Sequence, residues 1–220
     1  MITIKDLKKD AEITAIIKTG EKQIDALAYT EHSVRHDSIV ATWTAMILRE
    51  TGADERLIRL GEIAGYLHDI GNALSRHNHA QSGALLAYNL LVNRGMDYAD
   101  AAEIMMAIGN HDETHGVPVS VLSSALIIAD KSDVHKSRVK KKIFKKSMNI
   151  HDRVNLAVNR SYIEIDNEQK IIYTIIETDP KICSVSDYFE IYHKRMFMCK
   201  NAAELLGYNY GLIINDLRVL

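Results

Sequence analysis

The apolar residues of the first 150 positions recur three and four residues apart, which is the spacing of one face of an α-helix. In SVRHDSIVATWTAMILRET, residues 33–51, this spacing continues up to Gly52, a residue typical of helix ends. The pattern predicts the following segments: one helix or two over 1–28 with an end near Gly20, helices over 33–51, 54–69, 77–94 and about 97–110, and a stretch over 119–147 that begins apolar and ends basic.

The hydrophobic pattern changes after residue 150. SYIEID, residues 161–166, alternates polar and apolar positions, and KIIYTIIET, residues 170–178, is rich in β-branched side chains. With the polar turn NEQ between them, the two stretches predict a β-hairpin. A last amphipathic helix is predicted over 185–206. We therefore predict a mainly α fold, in which residues 1–150 form a helical domain and residues 151–220 form a hairpin-plus-helix extension packed on it.

Composition narrows the class of protein. A chain of 220 residues can bury a sizeable core without disulfides, and its two prolines suit long helices. The net charge of −2 does not fit a protein that coats nucleic acid. The two cysteines, at 183 and 199, match no zinc spacing, and neither a membrane-spanning run nor a signal peptide is visible. We predict a cytoplasmic protein with neither a membrane nor a nucleic acid as partner.

The histidines carry the candidate chemistry, since seven of the ten lie between His32 and His115. GYLHDIGNALSRHNHA places His68 and Asp69 side by side in apolar surroundings, where ionisable groups are costly unless they are paired or bound to a metal. Imidazole and carboxylate are together the ligands of divalent metals such as Mn, Fe, Co and Zn. Further residues that could bind such a metal lie in separate segments of the chain, so only the fold can bring them together.

Three motifs in chain order resemble the signature of the HD-domain metal-dependent phosphohydrolase superfamily. They are His36 in HDSIVA, the doublet in LHDIG, and Asp130 in IIADKSD. His79 in HAQSGALLA and His111 in IGNHDETHG resemble the histidines that members with two metals add. The resemblance covers roughly residues 28–140 and implies an HD-domain helical bundle with the site inside it.

The resemblance implies an enzyme with a binuclear metal site. A metal-activated hydroxide would cleave a phosphoester of a nucleotide or another small phosphorylated metabolite. The two divalent metals (Mn, Fe, Co, Mg, Ni or Zn) would be held by His36, His68, Asp69, His79, His111 and Asp130. Asp69 would bridge the metals, and it and Lys131 are the expected catalytic residues. Substrate contacts are expected at His32, Arg76, His115, Lys131 and Arg138.

The sequence departs from common family patterns. Asn72 stands where many relatives carry a lysine, so Lys131 and then Arg76 are the expected replacement contacts to phosphate. The acidic pair of alarmone hydrolases and the Gly-Tyr-Pro motif of cyclic-dinucleotide phosphodiesterases are both missing. His32, four residues before His36, is an alternative first ligand. We favour His36 because the VA of HDSIVA falls where the family's helix packs.

Two other functions stay open at this point. Mixed-valent di-iron HD oxygenases use the same set of ligands, although hydrolysis is the commoner activity. A non-enzymatic adaptor could bind nucleic acid through the basic run HKSRVKKKIFKKS, residues 135–147, yet only Phe144 there could stack on a base. That run is more typical of a solvated helix face whose first turns border the site. The exposed edge of the hairpin predicts a homodimer through the extension.

Overall fold

The computed structural model describes residues 2–27, 34–139 and 150–220, and its first part is helical. The bundle consists of α1 (Ile4–Lys9), α2 (Ala11–Ala26), α3 (Val34–Glu50), α4 (Glu55–Leu67), α5 (His79–Val92), α6 (Tyr98–Gly109) and α7 (Val121–Ser132). A 3₁₀ turn, Ile70–Ala73, connects α4 with α5. Side chains that accept hydrogen bonds from main-chain N–H groups begin several helices, for example Asp54 before α4 and Ser120 before α7.

The C-terminal part adds a small sheet. It consists of a 3₁₀ turn (Lys136–Arg138), α8 (Ile150–Ala157), β1 (Val158–Asp166), β2 (Ile171–Thr178), α9 (Val185–Leu205), β3 (Asn209–Ile214) and β4 (Leu217–Arg218). The strand order is β1-β2-β3-β4. The β1–β2 and β3–β4 pairs are antiparallel, whereas β2 and β3 are parallel, with Thr174 opposite Leu212. The helix α9 is the crossover that a parallel pair requires.

The extension shares its core with the bundle. Ile172 of β2 and Cys199 of α9 belong to the same buried cluster as Leu67 of α4. The Ser132 hydroxyl at the end of α7 also lies 2.7 Å from the Thr174 hydroxyl of β2. The predicted fold class, mainly α with a C-terminal hairpin-and-helix extension, is confirmed. The domain boundary at residue 150 stays a prediction.

The structure departs from the predicted elements at three places. The helix α2 runs through Gly20 to Ala26. A Cβ at Gly20 would lie only 3.2 Å from the main-chain nitrogen of Ala73 in the 3₁₀ turn. This glycine therefore permits close packing rather than ending a helix. The helix α7 ends at Ser132, and most of the basic run, residues 140–147, lies outside the described residues. The strands β3 and β4 were not predicted, since the short apolar run GLII has no diagnostic period.

Within the described ranges, no helix has the length and apolar character that a membrane crossing requires.

Candidate metal centre

The helix ends of the bundle direct six ionisable side chains to one buried place. They are His36 in the first turn of α3, His68 and Asp69 directly after α4, His79 at the start of α5, His111 after α6, and Asp130 in the last turn of α7. Each is at most 9 % exposed. These are the six residues that the sequence motifs singled out, and the fold gathers all of them.

Three of these side chains form a group on one side of Asp69. His36 Nε2 lies 3.3 Å from Asp130 Oδ1 and 3.9 Å from Asp69 Oδ2. His68 Nε2 lies 3.6 Å from the same two oxygens. We call His36, His68 and Asp130 the inner group.

Two histidines lie on the other side of Asp69. His79 Nε2 is 3.3 Å and His111 Nε2 is 4.0 Å from Asp69 Oδ1, and these two nitrogens lie 3.2 Å apart. We call His79 and His111 the outer group. One carboxylate thus presents Oδ2 to the inner group and Oδ1 to the outer group.

The second ring nitrogen of every one of the four histidines is hydrogen-bonded away from the centre. Its partners are Asp133 Oδ2 at 2.7 Å for His36, Gly65 O at 2.8 Å for His68, Arg76 O at 3.2 Å for His79, and Ile108 O at 2.7 Å for His111. Carbonyl and carboxylate oxygens only accept, so each Nδ1 donates. All four Nε2 lone pairs therefore face the centre, as in histidines that bind a metal.

The donor atoms fit a divalent cation. His68 Nε2 is buried without a hydrogen bond among the described residues, and two carboxylate oxygens face it. A lone pair buried against negative oxygens is unfavourable unless a cation lies between them. Ligand atoms of His36, His68 and Asp130 lie within 4.8 Å of one another, as do those of His68, Asp69 and His111. The two sets share His68, so they are neighbouring parts of one centre.

The protonation states reflect this charge pattern. Burial opposes the charged form of His68, but Asp69 and Asp130 outweigh it and raise the pKa of His68 to about 9. Burial and the nearby positive charges lower the pKa of His111 to about 3. Burial is also overcome at Asp130, where Lys131 and the two inner histidines hold the carboxyl pKa well below its usual range. The inner group thus attracts a positive charge, which a bound cation would supply in place of a proton.

The residues predicted to contact substrate take different places. Arg76 Nη1 lies 3.6 Å from Asp69 Oδ1, and Lys131 Nζ donates to Asp130 Oδ2 at 2.6 Å. His115 lines a cleft of about 420 Å³ together with Arg76 and His79. Arg138 is buried and donates to the main-chain oxygen of Asp133 at 2.6 Å, which places it behind His36 rather than at the ligand atoms. His32 lies outside the described residues.

Sequence reasoning missed several residues around the centre. Asp133, which accepts from His36, lies three residues after Asp130, a spacing that could have pointed to it. Asp112 directly follows His111, and its Oδ1 lies 4.0 Å from His79 Nε2. Arg195 pairs with Glu113 next to the centre, a contact between distant segments that no local sequence pattern indicates.

Comparison with known proteins agrees with this geometry. The family model described as HD domain matches residues 29–172, which contain all six clustered residues, and the chain therefore belongs to the HD domain family. The resemblance drawn from the motifs is thereby confirmed.

Two individual proteins are also similar. An uncharacterized protein of Methanocaldococcus jannaschii is 25% identical over 194 residues, which cover 78% of this chain and 74% of that protein. A crystal structure of a predicted HD superfamily hydrolase from an uncultured Thermotogales bacterium is 22% identical, with a TM-score of 0.45, and covers 70% of this chain and 89% of that one.

Proposed function

We propose that this protein is a metal-dependent phosphohydrolase with two divalent cations per chain. Its substrate would be the phosphoester of a nucleotide or another small phosphorylated metabolite. One observation carries the proposal: Asp69 turns Oδ2 to the inner group and Oδ1 to the outer group. A carboxylate in that position can bridge two cations, the arrangement that many phosphatases and nucleases use.

The donor sets support two cations of unequal surroundings. The inner group offers two imidazoles and the Asp130 carboxylate besides Asp69 Oδ2. The outer group offers two imidazoles besides Asp69 Oδ1, with Asp112 as a further carboxylate close to His79. Nitrogen and oxygen donors of this kind suit Mn, Fe, Co, Ni or Zn, and Mg less well because Mg prefers oxygen alone.

Divalent cations bound here would lower the pKa of a coordinated water and offset the negative charge of phosphate oxygens. The protein's own groups would do the rest. The four Nδ1 hydrogen bonds hold the imidazole rings in place. Arg76 and Lys131, both beside carboxylates of the centre, would be the cationic side chains that contact an entering phosphate group. The cleft lined by Arg76, His79 and His115 gives such a group its entry.

The test is phosphate release from a panel of nucleotides and phosphorylated metabolites, with Mn, Co, Fe or Mg supplied. The wild type is compared with Asp69→Ala, and the metal content of both proteins is measured. We expect two metals per chain and phosphate release from the wild type, and the loss of both from the variant. Equal release by the two proteins would refute the proposal, and oxygen uptake by an iron-loaded wild type that releases no phosphate would point to the oxygenase.

A further inference from the structure

The C-terminal extension reaches the candidate metal centre through a chain of charged side chains. Arg195 of α9 donates from Nε to both carboxylate oxygens of Glu113, at 3.0 and 3.2 Å. Glu113 Oε2 lies 3.4 Å from Lys131 Nζ, which donates to Asp130 Oδ2 at 2.6 Å. Positive and negative groups thus alternate from α9 to a residue of the inner group.

These charges are shielded from water to different degrees. The side chains of Lys131, Glu113 and Arg195 are 6%, 29% and 25% exposed. Ion pairs at partly buried positions are screened less than pairs on the open surface. The guanidinium of Arg195 also lies 4.6 Å from the centre of the Tyr192 ring, and Tyr192 is buried. The contact with the ring helps to hold the guanidinium beside Glu113.

The balance of charge explains what Arg195 adds. The four linked groups carry two positive and two negative charges, so the chain is neutral as a whole. Without Arg195 the remaining three groups carry a net negative charge, and Lys131 has to serve two carboxylates alone. A lysine held in that way attracts a third negative group, such as a phosphate, less strongly.

We propose that Arg195 is a positioning residue of this centre, which holds Glu113 and thereby leaves Lys131 available to the anionic group of the substrate. The inference rests on the proposed function for the identity of that group. Arg195 lies beyond residue 172, where the match to the HD domain model ends. The extension would accordingly be a working part of the site.

Kinetics of three variants test the link. Arg195→Gln should raise KM about tenfold with a smaller change in kcat, because a charge-assisted contact to substrate is weakened. Arg195→Lys should restore part of the loss. The matched control is Arg153→Gln, since Arg153 likewise pairs with a carboxylate, that of Asp187 at 2.8 Å, but on an exposed surface. It should leave KM unchanged, and all three variants should keep the wild-type metal content.

A second measurement needs no activity. The combined loss in melting temperature of Arg195→Gln and Lys131→Gln should exceed the sum of the two separate losses, because Glu113 then keeps neither Arg195 nor Lys131. In a Glu113→Gln background the two losses should be additive. This coupling is expected even if the wild type releases no phosphate, a result that would refute the proposed function alone. The role of Arg195 would be overturned if the two losses in melting temperature were additive in the protein that retains Glu113. An unchanged KM in an active Arg195→Gln variant would overturn it as well.

Discussion

The inner and outer groups on the two sides of Asp69 differ in their exposure to solvent and in the hydrogen bonds that orient their side chains. The inner histidines, His36 and His68, are fully buried, whereas His79 of the outer group lines the cleft. The Nδ1 atom of His36 is bound by the Asp133 carboxylate, and those of the outer histidines are bound by main-chain carbonyls. The inner group also includes a carboxylate of its own, Asp130.

This difference leads us to expect two cations of unequal affinity. More negative charge and less water favour tight binding on the inner side. The outer side, open to the cleft, is suited to a cation that meets the substrate. The inner group would thus hold the centre together, and the outer group would carry the exchangeable cation.

The largest effect is expected from the inner group. His68→Ala removes a buried candidate ligand that faces Asp69 and Asp130, so the cation expected at the inner group (the first cation) should be lost and activity should fall about a thousandfold. Metal analysis and phosphate release measure the two losses. A variant that keeps two metals per chain would show that His68 is not a ligand.

An outer-group substitution should separate the two cations. His79→Ala should lose one metal, keep the other, and lower activity about a hundredfold, because only the outer ligand set is broken. His193→Ala is the control, since His193 is exposed on α9 and should change neither quantity. The comparison between the two groups fails if His79→Ala loses both metals or none.

The residue that orients His36 should have a smaller effect. Asp133→Asn keeps the shape of the side chain but removes the charge that faces His36 Nδ1. It should lower the affinity for the first cation about 10- to 100-fold. Titration of the metal-free protein with Mn or Co measures this affinity. Asp216→Asn, an exposed site in the turn before β4, should leave it unaltered. Equal affinities in the two variants would show that Asp133 has no part in binding.

The smallest effect is expected at Asp112. Its Oδ1 lies 4.0 Å from His79 Nε2, so Asp112→Asn should lower only the affinity for the second cation, the one expected at the outer group, by about three- to tenfold. Asp97→Asn, which retains the cap of α6, serves as control in the same titration. A lower affinity for the first cation in the Asp112 variant would contradict this division between the groups.

The helical bundle and the candidate ligands were predicted from two different features of the sequence. The helical period located α3 to α6, because their apolar faces pack on a common core. The order of His36, the doublet and Asp130 located the candidate ligands through the family resemblance. Neither the helical period nor the order of the motifs gives distances between atoms. Only the structure therefore shows that Asp69 turns one oxygen to each of the two groups.

The parts that escaped prediction depend on contacts between distant segments. Arg195 and Glu113 are 82 residues apart in sequence, and they are in contact in a fold where α9 packs against α7. Glycine is typical of helix ends, and the sequence does not reveal that Gly20 lies close to the turn after the doublet. The partner of β2 could not be chosen from the sequence, since a parallel strand can follow its neighbour after a long crossover.

The central claim is that Asp69 bridges two cations, and anomalous X-ray scattering from manganese-loaded crystals tests it most directly. The account predicts two peaks about 3.5–4 Å apart on either side of the Asp69 carboxylate, with the inner peak alone remaining in His79→Ala. A single peak in the wild type, or two peaks that Asp69 does not contact, would contradict it.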